Sequence, residues 1–304
     1  MDVVVLLFKQ NIVMFIYLLI GYLLIKKKIL TIQGSGEIGK LLLYVIMPVA
    51  IVNSYLKDFS MEMLGKLAIS FLAALGALVL SMIVSTLIFH NRSAIRQFGA
   101  AFSNAGFIGI PLVQMTLGTE EVFYIASFVA LLNILQWTFG VFVLTKDKST
   151  VSVKKICTNP IVLSFVIGIL LFLLPIQLPD ILKNMLGTMA SMNGPLAMLV
   201  LGAYLAQISL KTLFTDKQTY LCTFVRLLLI PLLTVFALLL LPRTYLDIRL
   251  AILLVAAAPV GSNVAIFAQL YHKEYTDAVK DVCMSTVFSI LTMPLMIAIA
   301  NYIY

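Results

Sequence analysis

Residues Ser103 to Pro111 read Ser-Asn-Ala-Gly-Phe-Ile-Gly-Ile-Pro. They lie inside an apolar segment long enough to cross a bilayer, which takes about 20 residues as a helix. Such a span should be a plain helix, because hydrocarbon offers no partner to a free N–H or C=O. Yet Ser103, Asn104, Gly106, Gly109 and Pro111 crowd into this one stretch. Glycine loosens a helix, and proline removes a donor and clashes with the preceding turn. Broken backbone at membrane depth is tolerated where protein buries it or where it lines a wet cavity. A second such stretch, Ala258-Pro-Val-Gly-Ser-Asn263, lies in the other half of the chain. Gly106, Gly109 and Pro111 are the expected breakers of the first stretch, and Pro259 and Gly261 of the second. Paired interrupted segments at corresponding places in two halves point to a transporter's binding site. The competing reading is a Gly-rich packing face with an ordinary kink.

Composition supports a membrane setting. The chain has 304 residues, of which 62% are hydrophobic and 11% charged; a soluble domain carries about 25% charged residues. An all-α polytopic membrane protein is expected, with no soluble domain of useful size. The N-terminus does not read as a cleavable signal, because Lys26, Lys27 and Lys28 follow the apolar run and only Lys9 interrupts its start. Cys157, Cys222 and Cys283 are far apart and show no metal spacing.

Apolar runs bounded by charge predict ten transmembrane helices. They fall near Val4–Ile25, Ile38–Leu56, Leu64–Phe89, Gln97–Leu117, Val122–Leu144, Pro160–Leu174, Ile181–Ile208, Tyr220–Leu241, Ile248–Leu270 and Ala278–Tyr302. With the N-terminus outside, 14 of the 21 Lys and Arg residues fall on the cytoplasmic side and six on the outer side, with Arg226 within a span. That bias places both termini on the outer side of the plasma membrane. It also assigns the net charge of +8 to topology and anionic lipid rather than to nucleic acid.

The two halves share an order of features. Pro48 and Tyr55 mark helix 2, as Pro195 and Tyr204 mark helix 7, and the two breaks fall in helices 4 and 9. Residues 1–145 thus form a first five-helix repeat and 159–304 a second, joined by a cytoplasmic link at 146–158. An odd number of helices per repeat makes the second one inverted.

All 13 acidic residues fall in connections or near helix ends, so no carboxylate is expected at membrane depth, where proton-coupled carriers keep an ionisable group. Asp277 and Asp281 read as solvated end charges or as the lining of a cytoplasmic vestibule. Arg226 reads either as an attractor for an anion, or lock between conformations, or as a side chain snorkelling to the interface. The uncharged groups at depth are more telling. Asn104 and Asn263 lie in the two breaks, each preceded by a serine, Ser103 and Ser262. Resumed helices would point N–H groups and positive dipole ends at the gap, which suits a carboxylate; unwound carbonyls could equally hold sodium. The alternative for the asparagines is helix–helix glue, worth about 0.6 kcal/mol on average. The same two readings stay open for Asn53, Asn133 and Gln136.

The Asn104-to-Pro111 run, the Pro259-to-Asn263 run, Pro48 and the ten-helix layout together resemble the auxin efflux carrier family. The resemblance covers essentially the whole chain, which lacks the long central hydrophilic loop of many plant members and is similar to compact bacterial ones. It implies a fold shared with bile acid–sodium symporters, with helices 4 and 9 crossing. Scaffold helices 1, 2, 6 and 7 would dimerise, and helices 3–5 and 8–10 would move as an elevator. It implies that Asn104 and Asn263 hold the substrate carboxylate, which in the family is malate, malonate or indole-3-acetate. The expected function is secondary transport of a small organic anion, driven by the membrane potential without a cofactor. A sodium-coupled symporter and a membrane-embedded ligand sensor are the alternatives. An enzyme is not expected, since no metal-ligand motif, buried carboxylate pair or nucleophile with a base is present.

Overall fold

The computed structural model describes residues 3–174, 178–207, 213–273 and 275–304. Ile208, the expected end of the seventh helix, lies outside these residues, as do Asp2, Lys211 and Glu274. The described chain is helical, with one isolated β-bridge and no strand.

Helix starts are set by polar caps. The Ser60 hydroxyl accepts the Met63 N–H, Ser93 accepts that of Arg96, and Asn159 accepts from Ile161 and Val162 ahead of the Pro160–Leu173 helix. Each cap satisfies a donor that the first helical turn leaves unpaired. In chain order the helices are α1 Val3–Lys26, α2 Ile32–Leu41, α3 Met47–Ser54, α4 Met61–Phe89, α5 Ala94–Ala101, α6 Ile110–Thr116, α7 Val122–Leu135, α8 Val141–Thr145, α9 Val153–Cys157, α10 Pro160–Leu173, α11 Asp180–Ser191, α12 Asn193–Leu205, α13 Lys217–Phe224, α14 Ile230–Leu238, α15 Leu246–Ala256, α16 Asn263–Leu270 and α17 Tyr275–Ile303.

Seven helices among the described residues are long and apolar enough to cross a membrane, with an eighth if the Lys148–Cys157 and Pro160–Leu173 pair, bent by 45°, is one span. Two further expected spans are broken, α5 from α6 and α15 from α16. Wide π-turns at Leu42–Ile46, Ala105–Gly109 and Val225–Leu229 each end two residues before a proline, Pro48, Pro111 and Pro231. A proline ring clashes with the carbonyl four residues back, and a wider turn relieves that clash while the helix continues.

The first break therefore differs from expectation. The chain leaves helical geometry at Phe102–Asn104, ahead of the glycines. Gly106 and Gly109 lie inside the π-turn, and Pro111 follows it within a helix that runs on from Ala105 to Thr116. The three therefore follow the irregular segment rather than lying in it. Pro259 and Gly261 do fall in the irregular segment between α15 and α16.

One close approach fixes how α1 meets α12. A Cβ on Gly21 would lie 2.2 Å from the Leu199 carbonyl oxygen, and one on Gly202 would lie 2.0 Å from that of Leu18. Only glycine lets the two backbones meet there, the usual device of helix pairs in lipid. The link carries Cys157, which is exposed, whereas Cys222 and Cys283 are buried. If the link is cytoplasmic, a membrane-impermeant maleimide labels Cys157 in inverted vesicles and not in intact cells. The opposite pattern would reverse the orientation.

Candidate functional site

The two breaks meet. Ser103 and Val260 form an antiparallel bridge. The Asn104 N–H donates to the Pro259 carbonyl at 2.7 Å, and the Gly261 N–H donates to that of Phe102 at 3.0 Å. The Val260 N–H donates to the Ser285 hydroxyl on α17 at 3.0 Å. Backbone that could not be left open in lipid is thus paired within the protein.

The last carbonyls of α5 and α15 are satisfied by Arg226. Its Nη1 donates to the carbonyls of Ala100 at 3.0 Å and Ala101 at 3.5 Å, and its Nη2 donates to that of Ala256. The side chain is 1% exposed and does not snorkel. Each helix C-terminus carries about half a negative charge, so one guanidinium offsets both. Arg249, near the start of its span, is buried as well. It caps the Leu239 and Leu241 carbonyls and lies 4.9 Å from the Tyr304 ring.

Past the bridge, the chain resumes helix on both sides. Asn104 caps its turn by accepting the Phe107 N–H on Oδ1 at 3.3 Å, which leaves its buried Nδ2 without a partner. Asn263 donates through Nδ2 to Gln136 Oε1 at 2.9 Å, and Gln136 Nε2 and Ser103 Oγ are buried without partners. A cavity of about 20 Å³ lies against Ser103, Asn104, Gly106, Asn133, Gly261, Ser262 and Asn263. That space holds a water molecule, not a dicarboxylate. Leu43, Met47 and Ile161 close its far side, and a Cβ on Gly106 would lie 1.9 Å from Met47 Cε. A second cavity of about 140 Å³ shares Leu43, Asn133, Ile161 and Asn263 with it and extends to Trp137 and Asn159 beside the link.

Among the sequence candidates, Ser103, Asn104, Asn133, Ser262 and Asn263 therefore converge. Asn133 also returns its Nδ2 to the Val129 carbonyl of its own helix at 2.8 Å. Asn53 does not join them. It lines a separate hollow with Lys57, Glu120 and Lys183, because α3 carries it away from the crossing. Asn193 was missed in the sequence. It is fully buried, and its Nδ2 donates to the Gly106 carbonyl at 3.3 Å. Its signal was the same as that of Asn104, an uncharged amide inside an apolar span.

Of the buried atoms left unpaired here, Asn104 Nδ2 and Gln136 Nε2 are N–H donors, the Ser103 hydroxyl can donate or accept, and Asn193 Oδ1 is an acceptor; no acidic side chain is among the residues lining the cavity. Donors with positive helix ends behind them can receive an anion. Structural and ligand-facing roles separate by stability. Arg226→Met strips three carbonyls of their donor, and bonds to a charged group are worth roughly 1.5–3 kcal/mol each. Asn104→Ala loses one cap, about 1 kcal/mol. In detergent, Arg226→Met should melt far below wild type and Asn104→Ala close to it.

A family model described as membrane transport protein matches residues 6–297. No curated protein matches the chain.

Proposed function

The chain belongs to the membrane transport protein family, that of the auxin efflux carriers, and on that premise we propose that it is a secondary transporter of a small organic anion. The carrying observation is the set of unpartnered donors, Asn104 Nδ2, Gln136 Nε2 and the Ser103 hydroxyl, gathered where the two breaks meet. The substrate class is a carboxylate such as malate, malonate or an auxin-like acid.

An elevator motion is the proposed mechanism. The crossing belongs to one body, helices 3–5 and 8–10, and the walls at Leu43, Met47 and Ile161 belong to the scaffold, helices 1, 2, 6 and 7. The water-sized cavity supports a conformation in which the scaffold closes on the site. The larger cavity beside the link supports access from the cytoplasmic side. Lys57 Nζ on the scaffold side lies 3.4 Å from Glu120 Oε2 on the mobile side, a contact that sliding would break. Transport takes place in the plasma membrane with both termini outside, by a homodimer joined through the scaffold. The apolar face of α1 at Phe8, Ile12, Ile16 and Leu23, all exposed in one chain, supports burial against lipid or a second copy.

The membrane potential can drive anion efflux. Moving one charge through 100 mV is worth about 2.3 kcal/mol, roughly a 50-fold gradient. The test is flux of labelled malonate, malate and indole-3-acetate in proteoliposomes under an imposed potassium diffusion potential, with and without sodium. One of them should move with the potential, and Asn104→Ala and Asn263→Ala should each slow it about tenfold, the worth of one bond to a charged group. Flux only with sodium would favour the symporter reading. Flux unchanged in both variants would remove the site.

A further inference from the structure

A second buried polar centre lies outside the crossing, where α5, α13 and α17 meet. Arg96, 7% exposed, is shared among three carboxylates. Its Nη2 is 2.5 Å from Asp216 Oδ2 and 3.4 Å from Asp277 Oδ2, and its Nε is 3.7 Å from Asp281 Oδ2. Lys280 Nζ lies 3.6 Å from Asp277 Oδ1. Two cations thus face three carboxylates, and the centre is short of one positive charge.

The shortage falls on Asp281. Its side chain is 1% exposed, and neither carboxylate oxygen has a hydrogen-bond partner. Two neighbours that could donate, Thr219 and Cys222, make their nearest hydrogen bonds to other acceptors. The Thr219 hydroxyl donates to Asp216 Oδ2 at 3.1 Å, and Cys222 Sγ lies 3.9 Å from the Arg96 carbonyl. Asp216 is partly buried, which opposes ionisation. Even so, the Gln218 N–H, the Arg96 charge and the Thr219 hydroxyl hold its carboxyl below the usual range, so it remains the anion that Arg96 answers. Solvated end charge is therefore the wrong description of Asp281, which lies six residues along α17, about 9 Å from its start. An uncompensated carboxylate in such a place is resolved by a cation. No three His, Cys, Asp or Glu side chains among the described residues are placed to hold a metal ion together.

We propose that Asp281 takes up a proton and that this proton site travels with the crossing. Asp216 and Asp277, 25% and 30% exposed, offer the route from solvent. Two links run to the bridge. Asp281 is one turn from Ser285, whose hydroxyl holds the Val260 N–H, and Arg96 is on α5, which ends at the bridge. Neutralising Asp281 releases its share of Arg96. The part of the proposal that couples proton to anion rests on the transport reading above; the proton site itself does not.

Infrared titration of the reconstituted protein, with no substrate added, tests the site. Wild type should keep a protonated-carboxyl C=O band at pH values where solvated carboxyls are already ionised, and lose it as the pH rises further. Asp281→Asn should abolish it, Asn104→Ala should keep it, and Asp277→Asn, which removes the surplus negative charge, should move its midpoint to lower pH. Asp281→Glu, which retains a carboxyl, should move its midpoint, and this covers the case in which Asp281→Asn fails to fold. No such band in folded wild type, a band surviving in Asp281→Asn, or an unmoved midpoint in Asp281→Glu would overturn the proposal. Because Asn104→Ala keeps the band, failure of the anion site and failure of the proton site are read separately.

Discussion

Everything in this protein depends on how two interrupted helices satisfy their backbone in a medium without water. The Ser103–Val260 bridge pairs the central groups, and Arg226 takes the carbonyls that α5 and α15 leave open. Either device alone leaves polar groups unpaired, at several kcal/mol each in hydrocarbon. Arg226 carries a full charge where two half-charges of opposite sign converge. The resumed helices beyond the bridge then present positive ends, one of them capped by the Asn104 side chain, with no acidic residue among those lining the cavity. In this way the element that completes the fold also sets the sign of the site.

The polar groups fall into two sets with different chemistry. At the crossing they are uncharged, which suits a ligand that must leave again. Arg226 lies behind the bridge, on the carbonyls that end α5 and α15. At the meeting of α5, α13 and α17 the groups are ionised and their charges do not balance. Buried charge of this kind costs stability, so it is kept for a reason other than packing. Both sets belong to elements on the same side of the proposed sliding boundary.

Much of this was legible in the sequence. Hydropathy and charge placed most helix ends within a few residues, since apolar length and flanking lysines are direct consequences of the bilayer. The breaks were legible because serine, asparagine, glycine and proline have no ordinary use together in a span. Their exact form was not. Pro111 reads as a breaker, but a π-turn absorbs its ring, and backbone hydrogen bonding of that kind leaves no local mark in residue types. Burial of Arg96, Arg249 and Asp281 was also hidden. Near a predicted helix end, a charge facing water and one facing the protein look alike, and only packing tells them apart. Asn53 shows the converse: it has the composition of a site residue, on a helix that points elsewhere.

The central claim is that the meeting point of the two breaks holds an anion. The most direct measurement is an experimental structure determined with the small carboxylate that most raises the melting temperature of the purified protein. The account predicts ligand density between Ser103, Asn104 and Asn263, with Met47 withdrawn from Gly106 to make room. Density confined to the outer hollow between Lys57 and Lys183, with the crossing unchanged, would contradict it.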